Sequence, residues 1–133
     1  MRHNQELPEW VYDVIDDVCV GNGINSIALY DPAPRLPKHL AHIRNIVVYI
    51  VRAIGGSQPS FPELGRAFGK HHTTLVAGDR TIRAQLKGDS VASRILNKRI
   101  TTYINNHIER QGELTCHIGE VLDLTRDTSQ PIN

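Results

Sequence analysis

An all-α protein is the expectation from three features of this 133-residue chain. Apolar residues recur three and four positions apart in successive stretches, and clusters of Gly and Pro break the chain between those stretches. No segment sustains the apolar–polar alternation of a strand. A hydrophobic content of 40% and a charged content of 22% fit a globular protein of one domain, or one domain with a tail.

The first helix is predicted from Leu7 to Val20. Pro8 suits a first-turn position, Glu9 and Asp13 suit the positive end of the dipole, and Val11, Val14, Ile15 and Val18 recur at helical spacing. Gly21-Asn22-Gly23 ends it. Ser26 caps a short helical turn through Tyr30, Asp31-Pro32-Ala33-Pro34 is a breaker, and Arg35 to His39 reads as a basic connector. The strongest helix follows, because Ile43, Ile46, Val47, Ile50, Val51 and Ile54 form one continuous apolar stripe before Gly55-Gly56. Ser60-Phe61-Pro62-Glu63 is a capping box, with Ser60 at the cap and Glu63 three residues on. It opens a short helix, Phe61 to Phe68, whose Leu64, Ala67 and Phe68 face a core. Gly69 breaks that helix, and another starts near His71 and runs towards Leu86. The last helix is predicted from Val91 to Ile108, with Leu96, Ile100, Tyr103, Ile104 and Ile108 inward. Residues 112–133 read as a loose tail in which Leu114 to Ile118 could pair as a short strand. The chain thus divides into an acidic N-terminal helix region packing on the body, 1–34, a central domain, 35–110, and a tail, 111–133.

Composition narrows the function classes. The longest apolar run, Ile46 to Val51, is far too short to span a bilayer, and the polar N-terminus lacks a secretory core. Cys19 and Cys116 make neither a zinc knuckle nor a disulfide scaffold, so a reduced cytoplasmic setting is expected. The formal charge of +1 conceals a strong asymmetry: residues 1–34 carry −5, residues 35–110 carry +9, and residues 111–133 carry −3. A basic middle between acidic ends suits a polyanion such as nucleic acid, or is simply a solvated surface with acidic flanks.

The short helix, the turn at Gly69 and the helix after it make a helix-turn-helix arrangement, in which the second helix enters the major groove. Its first residues are Lys70-His71-His72-Thr73-Thr74, short or planar groups suited to base edges and phosphates. A plain helical hairpin in a bundle core would have the same outline.

The run Phe61-Pro62-Glu63-Leu64-Gly65-Arg66-Ala67-Phe68-Gly69-Lys70-His71-His72-Thr73-Thr74-Leu75 resembles the C-terminal DNA-binding domain of the bacterial chromosomal replication initiator, DnaA. The family pattern is close to Leu-Pro-Glu-Ile-Gly-x-x-Phe-Gly-Arg-Asp-His-Thr-Thr-Val. Upstream, Ala41 to Tyr49 is similar to the family's Ala-Arg-x-Arg-Gln-x-Ala-Met-Tyr, and Arg80-Thr81-Ile82 to its Arg-Lys-Ile; the resemblance covers roughly residues 10 to 105. It implies a Trp-repressor-like helical domain that binds double-stranded DNA. Carried over position by position, Lys70 takes the signature's Arg place, at phosphate, His71 the Asp place, His72 the His place, and Thr73 and Thr74 the paired Thr places. Arg44 matches a helix-start arginine directed at the DNA backbone, and Arg35 and Lys38 lie in the basic loop, with Arg35 the candidate for a narrow minor groove. His71 departs from the family: aspartate only accepts, whereas histidine also donates and so suits guanine N7 or O6. No ATPase module is visible, since Gly65 to His71 fails the phosphate-loop spacing.

Other features have simpler readings. Seven histidines include the pairs His39/His42 and His71/His72, but no third ligand appears at a recognised spacing, so no metal and no cofactor are expected. Cys19 is expected in the core, Trp10 and Tyr12 as anchors of the first helix, and Tyr49 in packing. Asp13, Asp16 and Asp17 make an acidic solvated face, and Arg80 and Arg83 serve phosphate contact or solvation. The expectation is a sequence-specific DNA-binding protein without enzymatic activity, cytoplasmic and nucleoid-associated, regulating transcription, of a kind that a phage or other mobile element could equally supply. The alternative is a replication-initiation modulator or adaptor that competes with the initiator, or recruits a protein partner through the acidic first helix or the tail.

Overall fold

The computed structural model describes residues 7–30 and 35–122, with side chains through residue 112. Among these residues every regular element is helical, as the sequence predicts: α1 (Glu9–Gly21), a 3-10 turn (Ser26–Tyr30), α2 (Lys38–Gly55), α3 (Phe61–Phe68), α4 (His72–Lys87) and α5 (Val91–Leu122). The breaker at 31–34 lies outside the described residues. No helix among the described residues is long and apolar enough to cross a membrane.

Helix α2 is the axis of the molecule, with α1, α4 and α5 packed around it. Ile43, Ile46, Val47, Ile50 and Val51 of its predicted stripe are buried, but so are Val48 at 0% exposure and Arg44 at 6%. One amphipathic stripe serves a helix with neighbours on one side; neighbours on several sides bury more of its circumference. From α1, Val11, Val14, Ile15, Val18 and Cys19 enter the same core, and burial, with Asp16 nearby, pushes the Cys19 thiol up to about 11. Trp10 and Tyr12 anchor α1 as expected: Tyr12 is buried, and the Trp10 ring lies against Gly55 and against His107 of α5. At its other end the Asn22 amide donates to Tyr103 Oη at 3.3 Å and Arg99 donates to Asn22 Oδ1 at 2.7 Å, tying α1 to α5.

Several boundaries differ from the sequence reading, each for a local reason. Pro8 is the N-cap of α1 rather than a residue of its first turn. Asn25, not Ser26, supplies the side-chain acceptor for the 3-10 turn, its Oδ1 taking the Ile27 N–H at 2.9 Å. Lys38 and His39 belong to α2 instead of a connector, because Pro37 already serves as its N-cap. Helix α5 does not stop at Ile108 but runs to Leu122, so Leu114 to Ile118 is helix and not strand. Gly112 alone is a weak breaker, about 1 kcal/mol against Ala, and no proline follows Val91 until Pro131. The inward face of α5 is also shifted: Ile108 is 58% exposed, whereas His107 is 5% exposed.

His107 has no hydrogen-bond partner for Nδ1 and packs on the Trp10 ring at 5.5 Å between centroids. Burial, then the Arg110 guanidinium, holds it below histidine's ordinary value, while the Asp13 and Asp17 carboxylates pull it partly back. Burial and Arg99 lower His42 in the same direction. The unfolded chain therefore binds these protons more readily than the folded one. Stability from both histidines is complete above the ordinary value of about 6.5 and is lost as pH falls below it. We expect Tm to fall as pH drops below about 6.5, and to fall less in His107→Phe, which keeps a ring against Trp10 but cannot be protonated. Equal slopes for the two proteins would exclude His107 as a source of the pH dependence.

Candidate nucleic-acid interface

The start of α4 is positioned by α3, whose two ends are closed by local chemistry. At the N-terminus the Ser60 hydroxyl accepts the Glu63 N–H at 3.2 Å, and Glu63 Oε1 accepts the Ser60 N–H at 2.8 Å. Both halves of the capping box are therefore made, with the proline where its missing N–H is harmless. The Ser60 N–H, and then the Ser60 hydroxyl, hold the half-buried Glu63 carboxyl below its usual range. At the C-terminus Gly69 turns left-handed, φ +68°, and Lys70 N–H reaches back to the Gly65 carbonyl at 2.8 Å. Leu64, Ala67 and Phe68 are all buried, as the sequence predicts, and Phe68 stacks on Tyr30 at 5.3 Å.

Gly65 sets how closely the two helices meet. A Cβ built there would lie 2.7 Å from the Lys70 carbonyl oxygen and 3.2 Å from the His72 nitrogen. The turn therefore crosses directly over the backbone of α3. Further along, Gly78 of α4 faces Asn45 of α2 with no room for a side chain, so α4 is held on two sides. Leu75, Ile82 and the Gly78 face of α4 are buried, which leaves the opposite face and the first turn outward.

His71, His72, Thr73 and Thr74 are all exposed at that first turn. His71 is the N-cap of α4: its Nδ1 accepts the Thr73 N–H at 3.3 Å and lies 2.8 Å from Thr73 Oγ1. The His71 and His72 rings stack at 4.5 Å and 29°. Lys70, half-buried, is in the turn just before them. The structure thus gathers His71 to Thr74 into one outward-facing row of donors, acceptors and methyl groups, with Lys70 beside its start. The capping role of His71 is not legible in the sequence, because histidine is an uncommon N-cap.

The remaining candidates are placed differently. Arg35 and Lys38 are exposed, Arg35 on the segment leading into α2 and Lys38 as its first residue, with Leu36 buried between them. Arg44 is not an open surface arginine: it is 6% exposed, one terminal nitrogen donates to Asn45 Oδ1 at 3.1 Å, and Nε has no partner. Burial pulls its guanidinium below the ordinary value. Arg44 lies on α2, the helix that α1, α4 and α5 pack around, so little of its circumference is left open. Of the two arginines along α4, Arg83 is engaged, with Nε donating to Asp79 Oδ2 at 2.7 Å and the guanidinium 5.5 Å from the Tyr49 ring centroid. Arg80 is exposed and falls on the same helical stripe as Thr73 and Ala77. That spacing of seven could have separated the two arginines beforehand. Among the described residues no three His, Cys, Asp or Glu side chains come together as a metal site would require.

No model of a protein family matches the chain, and no solved structure matches it. Curated proteins do. Over 69 residues the chain is 36% identical to the chromosomal replication initiator protein DnaA of Thermoanaerobacter sp. (strain X514) and to that of Thermoanaerobacter pseudethanolicus. Over the same length it is 38% identical to DnaA of Caldanaerobacter subterraneus subsp. tengcongensis. Each match takes in 50% of this chain but only 15% of the relative. Half of this chain is therefore a DnaA-related region.

Proposed function

We propose that this chain binds double-stranded DNA sequence-specifically, with α3, the Gly69 turn and α4 acting as a helix-turn-helix like that of the DnaA C-terminal domain. The observation that carries the reading is the exposed row His71 to Thr74, held at the start of α4 by backbone-to-backbone packing at Gly65. A groove-reading element needs both features: outward side chains at a helix N-terminus and a support that does not yield. The +9 charge of residues 35–110 and the DnaA-related region support the same reading. In this scheme His72, Thr73 and Thr74 meet base edges, Lys70 and Arg80 meet phosphates, and Arg35 and Lys38 contact the duplex from the segment before α2 and from its first residue. Arg44, 6% exposed, reaches phosphate only by its outer edge. The function is binding without catalysis, used in transcriptional regulation or in competition with an initiator for its sites.

Fluorescence anisotropy over a salt series tests this, with a randomised duplex, an initiator-type box and a site obtained by in-vitro selection. Log K should fall linearly with log[salt], by about 0.9 per phosphate contact. His72→Ala should lose about 1–3 kcal/mol on the selected site alone, while Lys70→Ala should weaken every duplex alike and reduce the salt slope by about 1. Equal affinity for all duplexes would reduce the protein to a non-specific binder, and no binding at moderate salt would leave the corner as scaffold.

A further inference from the structure

The bonding of His71 carries the DNA-binding reading one step further, to the base that the start of α4 selects. A backbone N–H can only donate, so the Thr73 N–H, 3.3 Å from His71 Nδ1, requires that nitrogen to present a lone pair. The Thr73 hydroxyl, 2.8 Å from the same nitrogen, can rotate its proton and donates there too. The opposite tautomer would set the Nδ1 proton against the Thr73 N–H. The neutral ring therefore carries its proton on Nε2, on the edge turned away from the cap. Stacking on the His72 ring, 4.5 Å away, restrains the ring in that orientation, and His71 is exposed.

We infer that His71 is a specificity residue that offers the major groove a fixed hydrogen-bond donor, Nε2–H. It favours guanine, whose O6 and N7 accept, and disfavours cytosine, whose N4 amino group only donates. Thr73, its hydroxyl proton committed to His71, presents a methyl group and oxygen lone pairs.

Selection from randomised duplexes with three proteins tests this: the unaltered chain, His71→Asp and His71→Ser. Aspartate and serine are both good N-caps, so the start of α4 is retained, and a thermal melt of each verifies it. Aspartate offers only acceptors, and serine lacks the ring. At one position of the selected site the unaltered chain should prefer guanine over cytosine by about tenfold. His71→Asp should reverse that preference and His71→Ser should flatten it, with the other positions unchanged. Sequence-specific binding with the same base at every position in all three proteins would overturn the inference and leave His71 as a cap only. Absence of any preference in the unaltered chain would defeat the DNA-reading proposal itself, and this inference with it.

Discussion

Phe68→Ala should remove about 3–5 kcal/mol of stability, the range for deleting a buried aromatic side chain. Phe68 is 0% exposed and stacks on Tyr30 at 5.3 Å with the rings 19° from parallel. Its ring is thus the link between α3 and the 3-10 turn, two elements that pack on each other near the corner. Against a total of about 5–15 kcal/mol for a domain of this kind, the loss is a large fraction. In urea denaturation the midpoint should drop sharply, whereas Phe68→Leu, which retains most of the apolar volume, should lose less than half as much. A loss below about 1 kcal/mol for alanine would mean that the surroundings collapse into the gap and that the corner is looser than its packing implies.

Gly65→Val should also destabilise the fold, and its damage should fall on the interface. Valine places branched carbon where the Lys70 carbonyl oxygen already lies 2.7 Å from the position of a Cβ. Backbone cannot rotate away as a flexible side chain would, so the turn must lift off α3. Overpacking of this kind costs about 1–3 kcal/mol, and here it outweighs the helix propensity gained on removing glycine, which is below about 1 kcal/mol. Gly112→Ala supplies the contrast, since nothing lies within 4 Å of a Cβ built at that helical position. It should stabilise α5 by a few tenths to about 1 kcal/mol. Thermal melts of the two variants should therefore move in opposite directions. Duplex affinity should fall in Gly65→Val even at temperatures where the protein remains folded, because His71 to Thr74 no longer project from a fixed base. Unchanged melting in Gly65→Val would show that the turn has slack.

The two ends of α3 are set by short-range chemistry, and that part was legible. Ser60 and Glu63 are three residues apart, Gly69 is the one residue there suited to φ +68°, and both bonds of the capping box and the closing turn follow from those identities. The row His71 to Thr74 was legible for the same reason, since it begins where one helix has stopped and the next has not yet buried a face. Burial of particular side chains was less so. Leu96, Ile100, Tyr103 and His107 share one stripe of α5, and the stripe, not the polarity of its last member, decides that His107 meets Trp10 while Ile108 points out.

The sequence by itself thus determined an all-helical chain, the ends of α3 and the candidate residues at the start of α4, because each depends on groups within about one helical turn of one another. Only the tertiary structure decided that Arg44 is enclosed, that Gly78 of α4 faces Asn45 of α2, and that the Trp10 ring lies against both Gly55 and His107. Those outcomes depend on which elements pack around α2 and on the angle at which α4 leaves α3. They are set by contacts between residues distant in sequence, and periodicity along one helix carries no information about its neighbours.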